Sequence, residues 1–369
     1  MKKQPHIVHF FSTFCIGGPE VRACDIINYL GNKFRHTIYA MDNNFLCKCK
    51  LAKEILPNVS IKKLEFNKKN TLKNIKYFRK ILKANKPDLL LTYNWGSIEC
   101  VLANSLNLIC PNIHTEDGFN TDEAYKQKKR RIWTRRLALR KSFKIIVPSI
   151  ILKNIALKKW KIPYEKLDYI PNGINIEDYI IDPYEKKSDI ANIGIVASLT
   201  DVKNHLRLLR IINKMDKALS FKLNIIGDGP KREELEKFTK KNGLESKVAF
   251  FGYCEQPAKL LKKMDIFCLS SNSEQMPISV LEAMAAGCGV ISTDVGDIKE
   301  MVSLENKQFI IQKEDEEGYA NALTNLILDV EYRKNLGYKN QLKCIKKYGK
   351  NIMLQTYEKL YLDAIKLID

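Results

Sequence analysis

The sequence predicts an α/β protein built from parallel strands, and three observations carry this prediction. An apolar run over residues 7–13 is followed by Gly17 and Gly18, then by apolar residues at helical spacing up to Leu30. Strand, glycine turn and helix in this order form the opening unit of a parallel α/β fold. Residues 223–230 repeat the strand and glycine turn before another helical pattern. The 369 residues suffice for two domains with separate cores.

Apolar runs and helical patterns alternate along the first half of the chain. The predicted strands cover residues 7–13, 36–42, 89–95 and 145–149. The predicted helices cover residues 21–30, 72–86 and about 97–106, and another begins at Ile150. The helix over 72–86 has four apolar residues at helical spacing, which we expect to face the core. These four residues are Leu72, Ile75, Phe78 and Leu82.

The same alternation continues after a polar stretch over residues 176–189, which predicts a linker. Predicted strands begin near residues 193, 223, 248, 265, 290 and 309. The last helix carries one apolar face made of Met353, Tyr357, Leu360, Tyr361, Ala364 and Ile368. We therefore expect a first domain over residues 1–175, a second over 190–350 and a terminal helix over 351–369.

Composition is typical of a soluble globular protein, with 45% apolar and 28% charged residues. No run approaches the roughly 18 apolar residues needed to span a bilayer. Lys2 and Lys3 precede an apolar run, but no small-residue cleavage site follows, so a first strand is the better interpretation. Ten scattered cysteines lack the spacing of a zinc site and predict reduced thiols in a cytoplasmic protein.

Charge is distributed unequally. Residues 1–180 hold 33 of the 62 basic residues and only 15 of the 42 acidic ones, so this half carries +18 of the net +20. The second half is similarly rich in basic residues and balances them. A regional excess of this kind predicts an anionic partner for the first half.

The most basic segment covers residues 126–144, where Ile132, Trp133, Leu137 and Leu139 supply an apolar side. One interpretation is a helix on an anionic membrane surface. The other is a solvated helix whose long basic side chains cover its apolar seam. No nucleic-acid reading motif accompanies the charge, so we expect no nucleic-acid partner.

Two carboxylates, Glu274 and Glu282, lie eight residues apart around the start of a predicted helix. Met276 and Pro277 follow the first, and Ile278 opens the helical pattern. Pro is favoured in the first helical turn, and the free N–H groups there favour a phosphate. A nucleotide-sugar, with its hydroxyls and phosphates, would suit such a site. On spacing alone, two solvated glutamates on a buried helix are the preferred explanation, because paired glutamates are common on helices.

Glu274, Glu282 and the following Ala-Met-Ala-Ala-Gly resemble the donor-binding signature of glycosyltransferase family 4, whose members are retaining enzymes with the GT-B fold. Residues 169–174 resemble the turn that ends the first domain in that family. The resemblance implies two Rossmann-like domains with parallel sheets facing an interdomain cleft, and a last helix that crosses back to the first domain. It also implies that Glu274 contacts the sugar and that Glu282 holds the ribose hydroxyls.

The family's Arg and Lys that neutralise the donor diphosphate correspond to Ser198 and Lys203. Only the lysine matches, and Ala197 replaces the usual Gly. Losing one cation should weaken stabilisation of the leaving group unless a residue such as Arg207 or Lys299 substitutes. The resemblance also places Tyr253 near the base of the donor.

In the first half, the resemblance places the Gly17-Gly18 loop near the donor phosphates and the acceptor. A family histidine close to the reacting sugar corresponds either to His114 or to Asp117. Both registers remain open from the sequence, as does a purely packing role for His114.

These features imply a metal-independent, retaining glycosyltransferase of bacterial envelope polysaccharide or lipopolysaccharide synthesis. Its partners would be a nucleotide-sugar donor, which is a substrate and not a cofactor, and a glycan or lipid-linked acceptor. We expect it in the cytoplasm, peripheral on the inner face of the membrane. The alternatives are a non-catalytic sugar-nucleotide or membrane-surface binding protein and a GT-B sugar-nucleotide epimerase.

Overall fold

A computed structural model describes residues 4–65, 70–119, 123, 127–186 and 190–366. The chain forms two compact units. The first unit consists of the chain up to Pro171 together with the residues from Met353 onward, and the second unit is Asn172–Ile352. We predicted a linker over 176–189, but its described part packs in the second unit, where Ile176, Tyr179 and Pro183 are buried. Residues 187–189 of that stretch lie outside the described residues.

The first unit contains a seven-stranded sheet in which every described pair is parallel, with order β3-β2-β1-β4-β5-β6-β7. Its strands are β1 His6–Phe11, β2 Arg35–Ala40, β3 Val59–Lys62, β4 Leu89–Tyr93, β5 Asn112–Thr115, β6 Lys144–Val147 and β7 Leu167–Tyr169. Its helices are α1 Gly18–Leu30, α2 Thr71–Asn85, α3 Ile98–Ser105, α4 Lys129–Leu139 and α5 Ile150–Lys158.

The second unit contains a six-stranded parallel sheet with order β10-β9-β8-β11-β12-β13. Its strands are β8 Ala191–Val196, β9 Phe221–Ile226, β10 Val248–Gly252, β11 Ile266–Leu269, β12 Gly289–Thr293 and β13 Ile310–Ile311. Its helices are α6 His205–Lys214, α7 Arg232–Lys241, α8 Ala258–Leu261, α9 Ile278–Ala285, α10 Ile298–Met301, α11 Glu316–Leu328 and α12 Val330–Lys347. The parallel Rossmann-like architecture predicted from the sequence is confirmed in both units.

The final helix, α13 Lys350–Ile365, supplies an apolar face to the core of the first unit. Met353, Tyr357 and Leu360 lie in the same buried cluster as Phe11 and Tyr93. Ile368, which we placed on this face, lies outside the described residues. Because the chain returns to its first unit here, that core is completed by residues distant in sequence.

Several elements depart from the sequence prediction, since the short strands β3, β5 and β7 were not among the four strands predicted for the first half. Strand β3 was not predicted because it is short and alternates half-buried with exposed residues at the sheet edge. In α2, Phe78 and Leu82 are fully buried as expected, but Leu72 is 74% exposed. Leu72 lies in the first turn of α2, where the buried residue is instead Asn74, whose side-chain amide donates to Glu99 of α3 at 2.8 Å.

Within the described residues, no helix has both the length and the apolar character that a membrane-spanning helix needs.

Candidate functional site

The strand order of the second sheet reverses between β8 and β11. From β8 the chain adds β9 and β10 on one side, and it then adds β11, β12 and β13 on the other side. Ile193 of β8 is in register with Ile266 of β11, so both strands end at the same edge. In open parallel sheets, ligands bind outside the carboxyl ends of the strands at such a switch point. The loops that leave this edge carry Lys203 and Glu274.

Lys203 and Glu274 form an ion pair at this edge, with Nζ and Oε1 2.6 Å apart. Their side chains are 26% and 8% exposed, so a ligand has access mainly to the lysine. The Ser271 hydroxyl donates a second hydrogen bond to the same carboxylate oxygen at 2.7 Å. The glutamate is therefore held by two hydrogen bonds, and its carboxylate offsets the lysine charge.

Backbone hydrogen bonds join the loop after β11 to the loop after β8. The Asn272 N–H donates to the Val202 carbonyl at 2.7 Å. Arg207 donates to the Ser270 carbonyl and to the Asn272 side chain, both at 2.8 Å. Burial lowers the pKa of the Arg207 guanidinium. Arg207, which we considered as a substitute for the absent family arginine, thus supports the loop that carries Glu274.

A third loop, which follows β12, also packs closely against the loop that carries Glu274. Gly296 has a φ of +60°, and a Cβ at this position would lie 2.5 Å from the Gln275 carbonyl oxygen. The Asp297 N–H donates to the same carbonyl at 2.8 Å. Glycine is required here by both the backbone conformation and the close approach.

Glu282 lies one turn inside α9, which begins directly after Pro277. Its Oε1 accepts a hydrogen bond from the Tyr179 hydroxyl at 2.8 Å. Burial raises the pKa of the Glu282 carboxyl, and the tyrosine hydrogen bond acts in the opposite direction. The helix buries Leu281 and Met284 beneath, which leaves the carboxylate on the partly exposed side.

The other predicted donor residues differ in accessibility. Met276 and Pro277 are buried, so their contribution to a ligand would come from backbone groups. Ile278, which opens the helical pattern, is exposed. Tyr253 follows β10 with 76% of its side chain exposed, and Ser198 is exposed after β8. Lys299 lies 3.8 Å from Asp294 in the second unit.

In the first unit, Gly17 precedes α1, and the Glu20 carboxylate folds back over it. A Cβ at residue 17 would lie 2.6 Å from Glu20 Oε2, which is the end of a flexible side chain. Burial raises the pKa of the Glu20 carboxyl to about 7. Gly18 is exposed at the start of the helix.

Asp117 forms a buried ion pair with Arg22 of α1, with Oδ1 and Nη2 2.6 Å apart. The Asp117 N–H donates to the Asn94 side chain at 2.7 Å. Strands β1, β4 and β5 are consecutive neighbours in the sheet, so these residues meet at the carboxyl edge of the first sheet. Asp117 retains 12% exposure of its side chain.

His114 lies within β5 and has no exposed surface. Its Nδ1 is 2.9 Å from the Thr92 hydroxyl, and its Nε2 is 3.6 Å from Glu116. Of the two alternatives left open by the sequence, only Asp117 has exposed side-chain surface in this structure.

The basic segment over 126–144 contains α4, and its apolar residues point in two directions; Lys126 lies outside the described residues. Ile132 and Leu139 pack inward, whereas Trp133 and Leu137 are 67% and 69% exposed. The single apolar side that we predicted is therefore wrong, because Arg135 occupies the buried face instead.

Arg135 lies between two buried glutamates, with its guanidinium 3.1 Å from Glu116 and 3.4 Å from Glu123. Trp95 and Trp160 each lie 4.9 Å from the guanidinium carbon. Burial alone would raise the pKa of Glu116, but Arg135 and His114 outweigh it and the pKa is lowered. This cluster anchors α4 to the carboxyl edge of the first sheet.

Two family profiles match consecutive parts of the chain. The profile described as Glycosyltransferase Family 4 matches residues 16–178. The profile described as Glycosyl transferases group 1 matches residues 178–343. The chain belongs to glycosyltransferase family 4. The predicted resemblance is thereby confirmed, and the chain is a glycosyltransferase.

Two curated proteins illustrate the sequence similarity of this chain to its relatives. The N-acetyl-alpha-D-glucosaminyl L-malate synthase of Bacillus anthracis is 26% identical over 46% of this chain, and the match spans only 45% of that protein. A Campylobacter jejuni relative is 27% identical over 72% of each chain. That relative is the GalNAc-alpha-(1->4)-GalNAc-alpha-(1->3)-diNAcBac-PP-undecaprenol alpha-1,4-N-acetyl-D-galactosaminyltransferase.

Among solved structures, Anabaena Alr3699/HepE in complex with UDP superposes with a TM-score of 0.81 at 15% identity. The superposition covers 97% of this family 4 chain and 100% of the Anabaena chain. The glycosyltransferase from Rickettsia africae ESF-5 gives 0.78 at 19% identity, covering 99% and 100% of the two chains. At these identities the likeness establishes the GT-B fold.

Sequence reasoning missed several residues that position the family 4 site. Glu20, Arg22 and Ser271 contact predicted site residues. Glu20 and Ser271 lie only three positions from Gly17 and Glu274 but belong to no motif, whereas Arg22 meets Asp117 only through the fold. Tyr179 lay in the stretch predicted as a linker. Only its aromatic character within a polar stretch could have indicated that it is buried.

Proposed function

We propose that this protein transfers a sugar from a nucleotide-sugar to a glycan or lipid-linked acceptor, with retention of configuration and without a metal ion. The observation that carries the proposal is the Lys203–Glu274 pair at the switch point of the second sheet, with Glu282 one turn into the following helix. One cation and two carboxylates match the diphosphate, sugar and ribose of a donor.

On binding, the donor diphosphate would replace Glu274 as the ion-pair partner of Lys203. The lysine is the more exposed partner, and phosphate oxygens accept hydrogen bonds from an ammonium group. Glu274 then becomes free to accept hydrogen bonds from sugar hydroxyls, while Ser271 continues to orient it. The free N–H groups at the start of α9 add positive potential next to the phosphates. UDP bound to Anabaena Alr3699/HepE supports a UDP-sugar as the first donor to test.

Positive charge in this site would stabilise the leaving diphosphate as the glycosidic bond breaks, a role that a metal ion fills in other enzymes. The leaving phosphate would take the acceptor proton on the same face of the sugar, which retains the configuration. Asp117, held by Arg22, would position sugar or acceptor hydroxyls and would not remove a proton. The exposed Gly18 N–H would lie beside it at the start of α1.

The acceptor would be an anionic or lipid-linked glycan of envelope polysaccharide synthesis at the inner membrane surface. The undecaprenol-linked substrate in the name of the Campylobacter relative supports this choice. So do the +18 charge of residues 1–180 and the exposed Trp133 and Leu137 of α4. Basic residues beside exposed apolar ones are typical of helices that bind an anionic membrane surface.

A donor screen followed by a transfer assay tests the proposal. A thermal-shift screen against UDP-, GDP- and ADP-sugars first identifies the donor, and transfer is then measured for Glu274→Gln. We expect transfer to fall at least about 100-fold, because a neutral amide cannot stabilise developing positive charge on the sugar. The product should keep the donor's anomeric configuration, and EDTA should leave the rate unchanged.

Glu233→Gln is the matched control, since Glu233 pairs with Lys237 at 2.6 Å on the exposed surface of the same unit. It should leave transfer unchanged. Undiminished transfer by Glu274→Gln would contradict the assigned site. Nucleotide affinity without turnover in the wild-type protein would instead indicate a binding protein.

A further inference from the structure

The segment from Asn172 to Lys186 makes three side-chain hydrogen bonds to α9 and the residues that flank it in the second unit. The first is to a residue just before the helix, the second is to a residue within it and the third is to the residue that follows its last turn. Asn172 Nδ2 donates to the Met276 carbonyl at 3.2 Å, the Tyr179 hydroxyl to Glu282 at 2.8 Å, and Lys186 Nζ to the Ala286 carbonyl at 2.6 Å. The helix that carries Glu282 is thus held along its length.

Tyr179 is rigid within this segment. Its ring is buried in the core of the second unit, and its N–H donates to the Ile176 carbonyl at 2.9 Å. The buried ring directs its hydroxyl at Glu282 Oε1. Among the described residues, no side chain donates to Oε2 of Glu282, which leaves that oxygen available to a ligand.

A glutamate carboxylate needs such a partner to have a defined orientation. The terminal torsion of Glu is broad, so the carboxylate plane rotates freely unless a hydrogen bond holds it. A ribose presents two neighbouring hydroxyls, and both can donate to one carboxylate only when its plane faces them. A carboxylate offers about four lone-pair positions, of which the tyrosine occupies one.

We propose that Tyr179 is a positioning residue that orients Glu282 to accept hydrogen bonds from both ribose hydroxyls of the donor nucleotide. The inference rests on the proposed function of Glu282 and extends it to a residue of the preceding segment. Tyr179 acts only through the carboxylate, so its contribution depends on the ligand having ribose hydroxyls. This dependence separates a positioning role from a merely structural one.

The test compares Tyr179→Phe with the wild-type protein by calorimetric titration with UDP and with 2′,3′-dideoxy-UDP. The substitution keeps the buried ring and removes only the hydroxyl. We expect affinity for UDP to fall about tenfold, because Glu282 loses the hydrogen bond that orients it toward the ribose hydroxyls. Affinity for the dideoxy analogue should be unchanged, because this analogue has no ribose hydroxyls for Glu282 to bind. GDP and ADP with their dideoxy forms are titrated in the same way.

Tyr184→Phe is the matched control, because Tyr184 lies in the same segment and its ring packs against Tyr338 instead of contacting Glu282. It should change neither affinity. Equal losses for ribose and dideoxy ligands in Tyr179→Phe, or no loss at all, would overturn the positioning role while leaving the transferase proposal intact. A wild-type protein that binds ribose and dideoxy forms equally, or none of the three nucleotides, would refute the role of Glu282 itself.

Discussion

Lys203 and Glu274 neutralise each other in this structure, where their side chains form an ion pair. If the proposed donor site is correct, a donor diphosphate would compete with Glu274 for the lysine. Ser198 stands where the family has a second cation, and Arg207 is engaged in holding the Glu274 loop. The proposed donor site therefore lacks one of the two cations that the family resemblance implies for the leaving diphosphate.

Ser198→Arg should restore that charge. The side chain is exposed after β8, so an arginine can extend without displacing core residues. We expect kcat/KM for the donor to rise about 5- to 20-fold, because a charge-assisted hydrogen bond contributes about 1–2 kcal/mol to leaving-group stabilisation. Ser220→Arg, at another exposed serine of this unit, adds the same charge elsewhere and should have no effect. An equal gain from both variants would indicate a general charge effect instead.

At the scale of elements, α4 shows how a strongly basic sequence is partly buried. Its inward face places Arg135 among two glutamates and the rings of Trp95, Phe119 and Trp160. The outward face carries exposed Trp133 and Leu137. Part of the segment's charge is therefore structural, and only the remainder is available to a partner.

Arg135→Ala should destabilise the first unit by about 3–5 kcal/mol, because it leaves Glu116 and Glu123 buried without their shared cation. Urea denaturation followed by circular dichroism measures the change in free energy of unfolding. Arg140→Ala removes an exposed arginine just after α4 and should change it by less than about 0.5 kcal/mol. A loss below about 1 kcal/mol for Arg135→Ala would mean that the two glutamates become protonated or hydrated at little cost.

For the whole molecule, the unequal charge distribution points to the first unit as the surface for an anionic partner. Residues 1–180 carry +18 of the net +20. The exposed face of α4 combines basic residues with an exposed indole and an exposed aliphatic side chain, two groups that insert into a headgroup layer. In the proposed arrangement, charge would attract the anionic surface, and the two apolar side chains would insert into it.

Binding to phosphatidylglycerol-containing vesicles, measured by co-sedimentation, tests this arrangement. We expect binding at low ionic strength and at least about a tenfold reduction when salt rises from about 0.05 to 0.5 M, since each basic residue near the surface contributes about 1 kcal/mol. Trp133→Glu with Leu137→Glu should reduce it further. Leu328→Glu, at an exposed leucine of the second unit, is the control. Unchanged binding of the double variant would show that α4 is not the contact surface.

Several properties could be predicted from the sequence because they depend on local patterns. The alternation of apolar runs, glycine turns and helical spacing predicted most strands and helices of both sheets. Glu274, Lys203 and the helix after Pro277 belong to short sequence motifs, so they could be recognised from the residues beside them. The edge strand β3 and the inward direction of Arg135 escaped prediction, because neither short alternating strands nor buried arginines differ locally from exposed segments.

The sequence by itself determined the α/β class, the family and the residues at the carboxyl ends of the second sheet. Only the tertiary structure decided which of His114 and Asp117 is accessible, which groups orient Glu274 and Glu282, and that the predicted linker supplies Tyr179 to the proposed donor site. The physical reason is that burial and side-chain hydrogen bonds depend on contacts between residues such as Tyr179 and Glu282, which lie 103 positions apart. No local pattern encodes the position of a partner at that separation.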